Sequence, residues 1–71
     1  MKGREFLNRV FEIGKARGVP VRVDLKRGKG SHVTLYYGKS KTVLKDRRKD
    51  LPKGLLFAMM RQLGLNRGDF R

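Results

Sequence analysis

The chain contains no cysteine and no tryptophan, and it carries little negative charge. Without cysteine it cannot form a disulfide or a thiolate metal site. Its one histidine and six scattered acidic residues provide no pair or triad at the spacing that metal ligands need. We therefore expect a protein that uses neither a metal ion nor a small-molecule cofactor.

Long apolar runs are also missing. No segment approaches the roughly 20 apolar residues of a membrane-spanning helix, and no apolar signal-peptide core follows the charged residues 1–5. These absences predict a cytoplasmic protein that does not bind a membrane by insertion. We expect residues 1–71 to form one domain. A core of this size is one compact layer, so any chemistry should take place on an open face or in a shallow groove.

Positive charge is what the sequence has in excess. Nineteen Lys and Arg residues stand against six Asp and Glu residues, which gives a net charge of +13. A surface built only for solubility mixes both signs of charge. Nucleic acid is the ligand that best matches this excess, because each neutralised phosphate releases counterions and so drives binding. An acidic membrane surface is the second candidate.

The apolar pattern predicts two helices around three strands. Apolar residues recur every three or four positions in residues 4–17, which predicts a helix that Gly18 ends. Alternation predicts strands over residues 19–26, 31–37 and 41–45, with glycine-containing turns between them. Residues 46–50 are too charged to be buried and are predicted to form a loop. Pro52 then begins a second helix, Gly64 ends it, and the tail beyond Asn66 is expected to be a frayed turn.

This order predicts an α+β fold, a two-layer sandwich in which both helices cover one face of an antiparallel sheet. The second helix should contribute an apolar stripe to the core, and the strands should contribute every second side chain. The predicted core residues of the strands and of the second helix are Val19, Val21, Val23, Leu25, Val33, Leu35, Tyr37, Leu51, Leu55, Met59, Met60 and Leu63. The opposite sheet face, which carries Arg22, His32, Thr34 and Tyr36, is then free for a partner.

His32 is the candidate for chemistry. A lone histidine on a strand is more often an incidental surface residue than a catalyst, so its neighbours decide its interpretation. It follows Gly28-Lys29-Gly30-Ser31, a segment that matches neither the dinucleotide nor the Walker pattern but can hold a phosphate near the imidazole. An imidazole exchanges protons near neutral pH, so it can take a proton from a ribose 2′-hydroxyl or give one to a leaving 5′-oxygen. That is the chemistry of metal-free RNA cleavage.

Basic residues before and after the predicted central strand would hold the RNA. One cluster lies in the turn that leads to His32, and the other follows that strand. The predicted RNA-binding residues are Lys26, Arg27, Lys29, Gly30, Ser31, Lys39, Lys41, Lys45, Arg47 and Arg48.

Gly30-Ser31-His32 at the start of a central strand resembles the motif of the HicA family of toxins, which are mRNA interferases. The resemblance extends to residues 2–7 at the opening and to residues 51–55 and 61–65 at the close. It implies a fold like that of double-stranded RNA-binding domains, ribonuclease activity on mRNA that halts translation, and a HicB-type antitoxin partner. It also implies that His32 is the catalytic residue.

The sequence departs from that family in one place. Relatives often carry a proline and a second histidine after the third strand, where residues 43–47 read Val-Leu-Lys-Asp-Arg. A second proton carrier would then be a lysine, a hydroxyl or water. Two other functions stay open, namely a non-catalytic double-stranded RNA-binding module and a basic ribosome-associated protein. The single histidine in a Gly-Ser-His turn favours the nuclease, because a protein that only binds RNA does not need it.

Overall fold

A computed structural model describes residues 1–25 and 32–70 of the protein. Helix α1 spans Gly3–Arg17, and strands β1, β2 and β3 span Val21–Asp24, Val33–Tyr37 and Ser40–Leu44. Helix α2 spans Lys53–Gln62, and a short 3₁₀ helix spans Arg67–Phe70. The α-β-β-β-α order confirms the predicted α+β fold of the double-stranded RNA-binding type.

The three strands form an antiparallel sheet in the order β1-β2-β3. Val33, Leu35 and Tyr37 of the central strand are buried, whereas Thr34 and Tyr36 between them are only half-buried. The helices therefore cover the face of Val33, Leu35 and Tyr37, because successive strand side chains point to opposite faces. The predicted alternation of β2 is confirmed.

The core lies between this sheet face and the helices. Phe6 and Val10 of α1 are fully buried, as are Leu35 of β2 and Leu44 of β3. The ring of Phe6 stacks on the ring of Phe70 with 5.3 Å between their centroids. Phe70 thus packs the C-terminal 3₁₀ helix against the core, so the predicted extra turn after Asn66 is present, but the prediction that it is frayed was wrong.

Glycine is required where α1 crosses the sheet. A Cβ on Gly14 would lie 2.3 Å from Val21 Cγ2 and 2.8 Å from the carbonyl oxygen of Val19. The absence of a side chain therefore sets how closely α1 can approach β1. Gly18 takes the left-handed conformation, with φ of 69°, and ends α1 as predicted.

The predicted strands are correct in number and order but not in their ends. β1 is shorter than residues 19–26, because Val19 and Pro20 precede it and Pro20 has no N–H to donate. Leu25 lies beyond the strand and is 54% exposed, so its predicted place in the core was wrong. β3 begins and ends one residue earlier than predicted. Lys26, the last residue of the predicted first strand, lies outside the described residues.

The apolar stripe of α2 also differs from the prediction. Leu55 is 43% exposed, while Leu56 and Phe57 pack against the core. Leu56 stands three, four and seven residues before Met59, Met60 and Leu63, which is the spacing of one helix face. Leu55 lies one position earlier and is therefore rotated away from that face.

Candidate nucleic-acid interface

His32 is exposed and stands directly before β2. The next residue, Val33, is buried and pairs with Leu44 at the end of β3. The β2–β3 ladder therefore anchors the backbone on one side of the histidine while its side chain remains open to solvent. His32 lies away from the core, as its predicted strand position required, although it is not itself part of the strand.

A lysine accompanies His32 at this end of the sheet. His32 comes one residue before Val33, and Lys45 comes one residue after Leu44, the pairing partner of Val33. Both residues therefore lie at the same end of the β2–β3 pair, and both are exposed. The tertiary structure thus brings Lys45 to the same end of the sheet as the predicted catalytic histidine.

Residues 46–50 bring further cations to the same end. This segment binds the beginning of α1 through its backbone, because the Gly3 and Arg4 N–H groups donate to the carbonyl oxygens of Lys49 and Arg47 at 3.0 and 2.9 Å. A Cβ on Gly3 would lie 2.6 Å from the Asp46 carbonyl oxygen, so the contact is close. We call this part of the surface the basic end. Its members are Lys2, Arg4, His32, Lys45, Arg47, Arg48 and Lys49.

The acidic groups nearest the basic end are already engaged by local partners. Asp46 accepts a hydrogen bond from the Arg48 N–H at 2.8 Å, and Glu5 accepts one from the Lys2 N–H at 2.8 Å. Asp50 lies 3.7 Å from the N-terminal ammonium. A carboxylate keeps its charge when it accepts a main-chain N–H group, and Asp46 also lies 3.9 Å from Arg48 Nε. The six lysines and arginines of the basic end nevertheless outnumber these three carboxylates, so this part of the surface keeps a net positive charge.

The sheet face opposite the helices has a different composition, and we call it the open face. Its residues form two rows across the strands. In one row, Tyr36 of β2 pairs with Arg22 of β1 and with Lys41 of β3. In the other row, Thr34 of β2 pairs with Asp24 of β1 and with Val43 of β3. The Arg22 guanidinium carbon lies 4.1 Å from the centroid of the Tyr36 ring, which is the geometry of a cation–π contact.

The opposite end of the molecule holds a structural cluster. Arg17, at the end of α1, forms a salt bridge with Asp69 of the 3₁₀ helix. Its hydrogen bonds with Asp69 and then with Tyr37 raise the pKa of the guanidinium. The pKa of Asp69 is lowered, first by the hydrogen bond from the Asn66 backbone N–H and then by Arg17. This cluster fastens the C-terminal segment to α1 and β2.

The predicted RNA-binding residues fall into four groups. Lys45, Arg47 and Arg48 share the basic end with His32, and Lys41 lies on the open face. Lys39 is in the turn after β2, so a five-residue strand, about 17 Å long, separates it from His32. The remaining predictions fall outside the described residues; they are Lys26, Arg27, Lys29, Gly30 and Ser31.

Three residues of the basic end were not among the predicted RNA-binding residues. Lys49 directly follows the predicted Arg47 and Arg48 in the chain, whereas the other two were missed by sequence reasoning. Lys2 and Arg4 lie more than 25 positions from His32 in the chain, and main-chain hydrogen bonds to residues 46–50 bring them to its end of the sheet. Backbone hydrogen bonds of this kind leave no side-chain pattern in the sequence. The only signal was that the residues around α1's beginning are basic.

Residues 1–25 and 32–70 contain neither a cluster of metal ligands nor a membrane-spanning helix. No three potential metal ligands cluster anywhere within residues 1–25 and 32–70. In the same part of the chain, no helix combines the length and apolar character that crossing a bilayer requires.

Comparison with known proteins gives one match. The family model described as the HicA toxin of bacterial toxin–antitoxin systems matches residues 22–65, which is more than half of the chain. The matched segment begins on the open face at Arg22, contains His32 and ends just after α2. Searches of curated proteins and of solved structures return no match.

Proposed function

Since the chain belongs to the HicA toxin family of bacterial toxin–antitoxin systems, we propose that it is a metal-independent endoribonuclease that cleaves mRNA with His32 as its catalytic residue. The toxin role and a HicB antitoxin partner follow from the family. The reaction, the substrate and the role of His32 are our inference. The observation that carries it is the exposed imidazole of the only histidine beside the cations of the basic end.

The proposed reaction is an internal transesterification. His32 removes the proton of a ribose 2′-hydroxyl, and the 2′-oxygen forms a bond to the adjacent phosphorus. The bond between that phosphorus and the 5′-oxygen of the next nucleotide breaks, and the leaving oxygen takes a proton from a second carrier. The substrate supplies its own nucleophile, so a hydroxide bound to a metal is not needed. General base catalysis of this kind contributes roughly 10²- to 10⁴-fold to a rate.

Lys45 is our candidate for the second position. It lies at the same end of the β2–β3 pair as His32, in the stretch where relatives often carry another histidine. An ammonium group there can stabilise the negative charge that develops on the phosphate, and it can donate a proton to the leaving oxygen. Arg47 and Arg48 would hold neighbouring phosphates, as would Lys29, which stands three residues before His32. Ser31, directly before His32, would orient the imidazole or the phosphate.

We further infer that the antitoxin inhibits by covering this site. A binding partner of the basic end must itself be rich in negative charge, and complementary charge speeds the assembly of such a complex. Covering His32 would block the reaction and the RNA contact together.

A non-catalytic RNA-binding module is the second candidate, because the α-β-β-β-α order is that of double-stranded RNA-binding domains. The two candidates differ in whether the protein breaks a covalent bond. The test is to incubate purified protein, free of antitoxin, with RNA in EDTA. We expect the parent to cut and His32→Ala to cut roughly 10²- to 10⁴-fold more slowly.

Two controls make this test specific. Asn8→Ala removes an exposed polar side chain of α1 that is not part of the basic end. This variant should cut RNA at the parental rate. His32→Ala should keep its thermal stability within about 0.5 kcal/mol, because the imidazole is exposed. A His32→Ala protein that cuts at the parental rate would show that His32 is not the catalyst. Failure of the parent to cut any RNA would favour the binding module.

A further inference from the structure

The Arg22–Tyr36–Lys41 row is an aromatic ring between two cations on the open face, which no helix within residues 1–25 and 32–70 covers. The three residues are direct cross-strand neighbours, so their backbones are about 4.8 Å apart between adjacent strands, and those of Arg22 and Lys41 are about 10 Å apart. Arg22 and Lys41 are exposed, and Tyr36 is half-buried. Flat groups and positive charge are therefore combined on one rigid part of the sheet.

The contact between Arg22 and Tyr36 orders this surface. The guanidinium carbon lies 4.1 Å from the ring centroid, which orients two side chains that would otherwise sample several rotamers. A guanidinium plane and a phenol ring are both groups on which nucleobases stack, and the guanidinium can also bind phosphate. An ordered pair of this kind lowers the entropic cost of binding a base.

We propose that the open face binds single-stranded RNA, with one nucleobase stacked on the Arg22–Tyr36 pair and a backbone phosphate held by Lys41. This inference rests on the proposed ribonuclease function and names its substrate class. A base can stack on a protein side chain only if it is unpaired and unstacked, and a duplex keeps its base faces covered. The protein would then use a double-stranded RNA-binding fold to select single strands.

The position of the row connects it with His32. Tyr36 follows His32 by four residues along β2, which corresponds to about 13 Å. A strand running along β2 would therefore place the stacked base a few nucleotides from the bond that is cut. Charge favours RNA as the occupant of this face, because the cations Arg22 and Lys41 outnumber its one acidic strand residue, Asp24, which lies opposite Thr34 in the next row towards His32.

The experiment measures binding in a His32→Ala background, so that the RNA stays uncut. The probes are a fluorescent oligonucleotide of unstructured RNA and a duplex of the same sequence at one salt concentration. Tyr36→Leu removes the ring but keeps apolar bulk, and Tyr36→Phe keeps the ring. We expect Tyr36→Leu to weaken single-strand binding about 5- to 150-fold, which corresponds to the roughly 1 to 3 kcal/mol of one stacked base. Tyr36→Phe should bind the single strand like the His32→Ala background protein. The affinity of Tyr36→Leu for duplex should change less than twofold.

Charge is controlled by a matched pair of lysine variants. Lys41→Gln should weaken binding of the single strand more than Lys15→Gln, which removes the same charge from the last turn of α1. If Tyr36→Leu does not fold, as judged by circular dichroism, Arg22→Lys is the deciding variant. It keeps the charge but removes the guanidinium plane, and we expect it to lose affinity for the single strand without a change in salt dependence.

The outcomes separate this inference from the proposed function. If folded Tyr36→Leu binds the single strand as tightly as the His32→Ala background protein does, the stacking site is wrong. The same result for Arg22→Lys decides the matter if Tyr36→Leu does not fold. In either case, cleavage that depends on His32 would leave the nuclease function intact. An equal loss for single strand and duplex would also overturn the stacking site, because the face would then recognise the RNA backbone alone. If the parent neither binds nor cuts RNA, the proposed function itself is wrong.

Discussion

Replacing Gly14 by alanine should destabilise the protein, although alanine is the better helix former. Gly14 lies in the last turns of α1 and is buried against β1. Its new methyl group would lie 2.3 Å from Val21 Cγ2 and 2.8 Å from the Val19 carbonyl oxygen. A rotation of Val21 could relieve the first contact. The second cannot be relieved in this way, because the atom belongs to the backbone.

The helix also has little freedom to move away. The Gly14 carbonyl oxygen accepts a hydrogen bond from the Val19 N–H at 2.8 Å, so the residues that would clash are tied together. Overpacking of a well-packed site costs about 1 to 3 kcal/mol, whereas alanine in place of glycine within a helix gains about 0.5 to 1 kcal/mol. The difference between these ranges is a net loss of about 0 to 2.5 kcal/mol. Because the contact with the Val19 carbonyl oxygen cannot be relieved, we expect the upper part of that range, about 1 to 2.5 kcal/mol, or a melting temperature lowered by about 5 to 20 °C.

The matched control is Gly54→Ala in the first turn of α2. A Cβ there would meet nothing within 4 Å, so this variant should be as stable as the parent or up to about 1 kcal/mol more stable. Thermal unfolding of the three proteins, followed by circular dichroism, measures the difference. A Gly14→Ala protein that melts at or above the parental temperature would refute the packing argument. Because Val21 precedes Arg22, the variant should also weaken single-strand RNA binding.

Two further predictions concern charge. If about five phosphates of a single strand are neutralised, a plot of log affinity for RNA against log salt concentration should have a slope near −3.5. A slope near zero in a salt titration would exclude electrostatic binding. The second concerns Asp69, whose pKa is lowered from 3.8 in the folded state by Asn66 and Arg17. A lowered carboxyl pKa stabilises the fold above the unfolded pKa, and this stabilisation is lost as the pH falls through the folded value. Asp69→Asn should therefore be less stable than the parent at pH 7, and the difference between their melting temperatures should become smaller towards pH 3. A difference that does not change with pH would contradict the stabilising role of the Arg17–Asp69 pair.

Several features of the fold and the candidate site could be predicted without coordinates. The alternation of Val33, Leu35 and Tyr37 identifies the buried face of β2, because a period of two has one interpretation in a half-buried strand. Gly18 identifies the end of α1, because a left-handed residue is needed there. The charge of +13 predicts a polyanionic ligand. The motif at His32, together with residues 2–7, 51–55 and 61–65, was enough to predict the HicA family, which is confirmed over residues 22–65.

Contacts between residues that are distant in the chain could not be predicted in this way. The stacking of Phe70 on Phe6, the close approach of Gly14 to Val21 and the backbone bonds from residues 46–50 to α1 all depend on how the elements dock. Periodicity reports only which face of an element is apolar. It does not report which residue of another element meets that face, so the packing of Phe70 was missed. The error at Leu55 had a different origin, because the spacing of Leu56 from Met59, Met60 and Leu63 was already present in the sequence.

The sequence by itself determined the number and order of the main helices and strands and the buried face of the central strand, because these depend on local patterns. Composition alone predicts a negatively charged ligand. The tertiary structure decided which cations share an end with His32, and it aligned Arg22, Tyr36 and Lys41 in one row. Strand register is set by hydrogen bonds between backbones and by packing of the core, and a shift of one residue would turn that row to the other face.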